Sequence, residues 1–264
     1  MYTVKTDLHT HTLFSGHAFS TIGENVAQAV RKGLEAIGMA DHYSPLFLPQ
    51  RQGGFPDWGP IMNMAALPKV IDGVRVLASV EIDLVDFEGH PACWNLPCPF
   101  TPPGAEPDTV AGRLLRSRDY AIASFHGFPG AGEGTAAQYT EMYCGALRNP
   151  LIHILGHPCR PGFPFDLEEV IRTAKETGKM LEINDHSFDS PEHIQNACRQ
   201  LAIRCAEEEV PIVVNSDAHS AWFVGEFDRA LTMLQEISFP ERLIANRTLA
   251  SFQEQLEKIP GRIL

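Results

Sequence analysis

The chain has 264 residues and a formal net charge of -12, with 44% hydrophobic and 20% charged residues. That length is enough for one large domain or two small ones with a proper core, and no apolar run is long enough to cross a bilayer. The acidic balance excludes a nucleic-acid backbone as the main partner, because that role needs a basic stripe to release counterions. A small anionic substrate stays compatible, since bound cations reverse the local field. The N-terminal Met1-Tyr2-Thr3-Val4-Lys5-Thr6-Asp7 enters a strand-like pattern without the apolar core of a secretion signal, so the cytoplasm is the expected location. The six cysteines form no Cys-x-x-Cys pair and read as reduced thiols.

In chain order, short β-branched or apolar runs alternate with longer helical patterns, which predicts βα units around a parallel sheet. Strands are expected over residues 4–9, 36–40, 74–81, 120–124, 152–155, 180–183 and 212–215. Helices are expected over 22–32, 109–117, 136–147, 167–177, 194–208 and 227–237. Ser20 or Thr21, Asp166 and Ser190-Pro191 are candidate helix starts, and Gly33 and Gly178 candidate stops. Two stretches rich in Pro, Gly and aromatic residues, 43–60 and 90–107, read as long functional loops. No repeat or linker divides the chain, so residues 1–264 are expected to form one α/β domain, a seven-stranded barrel or a strongly curled sheet. Nothing in the pattern sets an oligomeric state.

The histidines fall where these strands hand over to the following loops. The first strand ends Asp7-Leu8-His9-Thr10-His11, with His17 in the same loop, and the second ends Ala40-Asp41-His42. The third ends Ser79-Val80-Glu81, the fourth Ser124-Phe125-His126, the fifth Gly156-His157-Pro158 and the seventh Ser216-Asp217-Ala218-His219. In a βα barrel all of these lie at the C-terminal mouth, where active sites are built. Residues two apart on a strand end, such as His9 and His11, point the same way about 6.6 Å apart. Seven of the eleven histidines and two carboxylates therefore meet in one place. A cluster of that kind needs cations to hold it, and imidazole with carboxylate suits zinc, manganese or iron. His-x-His alone occurs often by chance; the joint placement at six strand ends is what carries the reading. His90, His153, His186 and His193 do not share that placement, and His153 and His193 read as structural.

Together these motifs resemble the PHP (polymerase and histidinol phosphatase) family, in particular its small stand-alone bacterial phosphatases of the YcdX type. The similarity runs from about residue 4 to about residue 250 and includes Leu181-Glu182-Ile183-Asn184 and Val224-Gly225-Glu226-Phe227. It implies a distorted (β/α)7 barrel with three divalent cations, Zn, Mn or Fe. His9, His11, Glu81 and Asp217 would hold one cation. Glu81 would bridge to a second shared with His126 and His157, and His17, His42 and His219 would hold the third. A water bridging the first two is then the expected nucleophile, and a metal-bound water, Asp217 or His219 a source of the proton for the leaving group. Arg160 lies on the rim, where a guanidinium either clamps phosphate or faces solvent. Asp185-His186 departs from the small polar residues usual at that position, so His186 either donates to substrate or sits on the surface.

The reading that follows is a phosphomonoesterase acting on a small phosphorylated metabolite. A phosphodiesterase or nuclease activity is disfavoured by the acidic charge. An amidohydrolase would carry a lysine near the fourth strand, which here ends Ser124-Phe125-His126. A non-catalytic metal-stabilised binding module predicts loss of a ligand, the bridging carboxylate above all, and Glu81 is present.

Overall fold

In the computed structural model the residues described are 2–50, 57, 59, 63–99, 104 and 106–260; the remaining positions of the two long loops lie outside them. Ten strands are found among the described residues: β1 (Thr6–Thr10), β2 (Ala36–Met39), β3 (His42–Tyr43), β4 (Val70–Ile71), β5 (Val74–Ala78), β6 (Glu81–Asp83), β7 (Ile122–Ser124), β8 (Ile154–Leu155), β9 (Met180–Asn184) and β10 (Ile212–Asn215). The main helices are α1 (Ile22–Lys32), α2 (Val110–Arg116), α3 (Ala136–Arg148), α4 (Leu167–Thr177), α5 (Glu192–Glu207), α6 (Asp228–Glu236) and α7 (Leu249–Glu257).

The strands form two sheets, ordered β1-β2-β5-β4 and β10-β9-β8-β7-β6-β3, parallel except at the β4–β5 hairpin. That hairpin turns on Asp72-Gly73, both at positive φ, the conformation that a two-residue turn matching strand twist requires. The second and third expected strands each break once, at Ala40-Asp41 and at Ser79-Val80. Hydrogen bonds cross both breaks: Ser79 N donates to Met39 O at 3.1 Å and Glu81 N to Asp41 O at 3.2 Å. The two sheets therefore continue one another, and the order is that of a seven-stranded parallel barrel.

Closure between β10 and β1 is irregular. One bridge joins Thr10 to Ala218, and His11 N donates to Ala218 O at 2.9 Å. Elsewhere along this seam buried asparagines supply the missing hydrogen bonds. Leu8 N donates to Asn215 Oδ1 at 2.9 Å, and Asn246 Nδ2 reaches both Thr6 O and Val214 O. This is the distortion in the (β/α)7 barrel.

Local signals account for most helix ends. Thr21 and Glu24 form a capping box on α1, and Asp166 accepts from Glu169 N at 3.0 Å on α4. Gly33 and Gly178 close those helices in the left-handed conformation. Ser190 does not cap α5, which begins two residues earlier than expected, behind Pro191, without a side-chain cap. The hairpin strand β4 and helix α7 were not expected. α7 packs Phe252 and Leu256 against the barrel interior from the N-terminal end, beside Leu8, Tyr120, Ile122, Ile154, Met180 and Val213.

Candidate metal centre

Strand alternation explains how the interior becomes a site at one end. Leu77 and Tyr120 belong to the interior cluster. Counting on by twos from them reaches Glu81 and His126, as counting from Met180 reaches Glu182 and from Val213 reaches Asp217. Three members, His9, His11 and His157, break the count. Leu8 packs inside, yet its neighbour His9 also reaches the site, because the β1–β2 register slips by one residue between Asp7 and Thr10. His157 follows Gly156 with φ +25°, an uncommon backbone that turns its ring towards Glu81.

Glu81 sits at the centre, fully buried. Its Oε1 lies 2.9 Å from His157 Nε2, 3.3 Å from His9 Nε2 and 3.5 Å from His126 Nε2. Its Oε2 lies 2.8 Å from His42 Nδ1 and 3.5 Å from His11 Nε2. Asp217 Oδ1 faces His11 Nε2 at 3.0 Å and His9 Nε2 at 3.5 Å, with its backbone at φ +57°. Further out, His17 Nε2 and His219 Nε2 face each other at 3.0 Å. All nine expected ligand residues are thus brought together. The groups of three whose atoms converge are His9-Glu81-His157, His9-His11-Asp217, His42-Glu81-His126 and His11-His42-His219. His42 consequently stands between the second and third expected ligand sets.

Electrostatics set the protonation pattern. Burial opposes a charged Glu81, yet His9, His42 and His126 outweigh it and hold the carboxyl well below its usual range. Asp217 is likewise held low against burial by His9, Arg160 and His11. Burial is the main cause that pushes His11, His17, His157 and His219 down, towards the neutral form a ligand needs. His9 goes the other way: Glu182, Glu81 and Asp217 together outweigh burial and raise it.

The donor set fits divalent cations on a direct observation. His9 Nε2, His11 Nε2, His42 Nδ1, Glu81 Oε2 and Asp217 Oδ1 face one another in this buried cluster without a well-directed hydrogen bond. Buried polar atoms in that state are costly, and cations would satisfy all five at once.

Carboxylates behind the rings aim them. Glu182 accepts from His9 Nδ1 at 2.8 Å, Asn215 Nδ2 at 2.8 Å, Asn184 Nδ2 at 3.0 Å and the His157 backbone N at 2.9 Å. Asp83 lies 2.7 Å from His126 Nδ1. Asp41 accepts from Thr12 N and Ser15 Oγ, and Ser15 Oγ meets His11 Nδ1 at 2.9 Å. Such partners fix tautomer and orientation. Sequence reading missed them; the available signal was a carboxylate inside an apolar strand, as Glu182 is in residues 180–183.

Arg160 is held on three sides. Nη1 donates to Asp217 Oδ2 at 2.7 Å, Nη2 to Asn184 Oδ1 at 2.6 Å, and Nε reaches Ser187 Oγ at 3.4 Å. Two of its five donors stay free, and it lines a cavity of about 530 Å³ at the mouth with His17, His219 and Asp217. His186 lines the far side, mostly exposed and 3.2 Å from Asp189. His153 accepts from Ala121 N at 3.1 Å, the structural role expected of it. His193 lies exposed in the first turn of α5. His90 stacks on Trp94 and pairs with Asp86.

Comparison with known proteins agrees with this geometry. Residues 7–109 match the PHP domain model. A protein of Acetivibrio thermocellus named probable phosphatase is 34% identical over 257 residues, 97% of each chain. Another of that name, from Caldanaerobacter subterraneus, is 36% identical over 258 residues, 97% of this chain and 92% of that one. Among solved structures, the histidinol phosphate phosphatase of Lactococcus lactis, complexed with zinc, L-histidinol and phosphate, superposes with a TM-score of 0.59 at 19% identity, over 89% of this chain and 94% of that one. An enamidase of the amidohydrolase superfamily shares the fold at a TM-score of 0.54 and 12% identity, over 97% of this chain and 68% of that one. With near-complete coverage of relatives more than 30% identical, the chain belongs to the PHP family of phosphatases.

Proposed function

We propose that the protein is a metal-dependent phosphomonoesterase acting on a small phosphorylated metabolite. The observation that carries this is the convergence of seven imidazoles and two carboxylates around the buried Glu81, with few well-directed hydrogen bonds among them. His9, His11, Glu81 and Asp217 would hold one cation, Glu81, His126 and His157 a second, and His17, His42 and His219 a third, as zinc, manganese or iron. Bound there, the cations would supply an acidified water as nucleophile and electrophilic pull on the phosphoryl oxygens.

The chain's own residues do the rest. Glu81 sets the spacing of the cluster by facing five rings at once. Arg160, anchored on Asp217 and Asn184, directs its two free donors into the cavity, where a phosphate oxygen would accept them. The proton that the departing alkoxide needs would come from a cation-bound water or through Asp217 or His219. His186 reaches the cavity from the opposite rim and contacts the organic part of the substrate. We read residues 1–264 as one such domain working in the cytoplasm; among the described residues no helix is long and apolar enough to cross a membrane.

The test is hydrolysis by protein loaded with Mn²⁺ or Zn²⁺, using 4-nitrophenyl phosphate beside its diester analogue. Monoester turnover abolished by chelation is expected. Loaded protein that cleaves neither ester overturns the proposal, and a preference for the diester reassigns the substrate class.

A further inference from the structure

Backbone ladders fix the spacing between most strands of the barrel. β9 and β10, for example, register over four residue pairs, and β6, β7 and β8 belong to the same continuous sheet. The group His9-His11-Asp217 is placed differently. Its two histidines lie on and just after β1 while its carboxylate follows β10, so it spans the irregular seam. A single bridge, Thr10 to Ala218, pairs the chain across that seam. The distance between the two halves of this ligand group therefore depends on side chains.

Asp7 is the side chain placed to hold it. It is fully buried on β1, where the register begins to slip. Its Oδ1 accepts from Ser216 N at 3.2 Å, and its Oδ2 accepts from Ser216 Oγ at 2.5 Å and from Gly225 N at 2.9 Å. Ser216 Oγ in turn accepts from Ala218 N at 3.1 Å. These bonds bracket Asp217 on both sides, and Asp217 has a left-handed backbone at φ +57°. A residue with a side chain keeps that conformation only where its surroundings hold it. From it, Asp217 Oδ1 reaches His11 Nε2 at 3.0 Å and His9 Nε2 at 3.5 Å.

We propose that Asp7 is a positioning residue of the metal centre: acting through Ser216, it locks the turn at Asp217 against β1 and so sets the spacing of the His9-His11-Asp217 group. This rests on the cation-binding reading above. The side-chain bonds of Asp7 go to Ser216 and Gly225 and not to a ligand side chain, so its effect travels through the turn. That separates it from Glu182, Asp83 and Ser15, each of which meets a ligand ring directly.

The test reads Mn²⁺ and Zn²⁺ affinity of the full chain by competition with a chelator, beside the stability of the metal-free protein in a denaturant titration. Asp7→Asn puts an amide N–H opposite a donor that the carboxylate now accepts, and Ser216→Ala removes the hydroxyl between Asp7 and Ala218. Each should weaken metal binding about 10- to 100-fold. The double variant should bind little worse than either single one, because both cut the same linkage. Gly38→Ala, which crowds Tyr120 at the other end of the barrel, is the control: it should lose stability and keep its affinity. Unchanged affinity in the single variants, additive losses in the double variant, or an equal loss in Gly38→Ala overturns the proposal. Should Asp7→Asn not fold, Ser216→Ala decides alone, and normal affinity there overturns it. Unaltered protein that binds neither metal overturns the cation reading itself; ester hydrolysis does not enter the measurement.

Discussion

The mouth and the floor of the barrel are built by the same strands and hold opposite chemistry. At the floor, Leu8, Ile122, Ile154, Met180 and Val213 meet Phe252 and Leu256 of α7 in a closed apolar cluster. Tyr120 crosses this space to donate to Leu8 O, through a gap left by Gly38. At the mouth, two or four residues further along, the same strands present Glu81, His126, Glu182 and Asp217. The floor is stable by packing alone. The mouth buries imidazoles and carboxylates that packing alone does not satisfy. Stability and activity are therefore assigned to different ends of one interior, and substitutions should separate them.

The largest expected effect is at the centre of the mouth. Glu81→Ala should lower turnover by about three orders of magnitude or more and reduce bound metal, while far-ultraviolet circular dichroism keeps its folded shape. Turnover retained in that variant would remove Glu81 from the centre. One layer deeper, Glu182→Gln replaces an oxygen that accepts hydrogen bonds with an amide that donates them, opposite His9 and the His157 backbone. Metal affinity should fall about 10- to 100-fold, read by competition with a chelator; unchanged affinity would make Glu182 a packing residue only.

The floor should answer in stability instead. A Cβ at Gly38 would lie 1.7 Å from Tyr120 Oη and 2.7 Å from Leu8 O, so Gly38→Ala forces both apart. A loss of about 1–3 kcal/mol is expected by denaturant titration, with near-normal metal content in the folded fraction. Lost metal at unchanged stability would couple the two ends more tightly than the packing implies.

The remaining effect is a pH slope. Burial lowers Lys179, just before β9, from an ordinary 10.5 to about 7, and its Nζ donates to Asn149 O. Between those values the unfolded chain binds the proton and the folded chain does not, so stability should rise with pH from about 7 to about 10. The slope is at most about 1.4 kcal/mol per pH unit and should flatten in Lys179→Met. A slope that persists in that variant would assign it to another group.

Much of this was legible in the sequence because one-dimensional rules govern it. The helices 22–32 and 167–177 follow from a cap, an apolar period and a terminal glycine, and both match the structure. The gathering of the histidines followed from their place at strand ends, where alternation favours one face without any knowledge of neighbours. The breaks after Met39 and Ala78 were not legible, since they depend on how adjacent strands tilt to close the barrel. Nor was α7, which stands out as the plug of the floor only once the strands are closed.

What the sequence by itself determined was which side chains face inward and that the histidines gather at one end. Local backbone chemistry is enough for that. Only the tertiary structure decided how His9, His11 and His157 reach the cluster, because a register slip in β1 and a positive φ at His157 override simple alternation. It also decided that Glu182 aims two ligands at once, and that Arg160 is anchored on Asp217 and not loose on the rim. Those are contacts between strands far apart in the chain, and their geometry exists only after the barrel has closed.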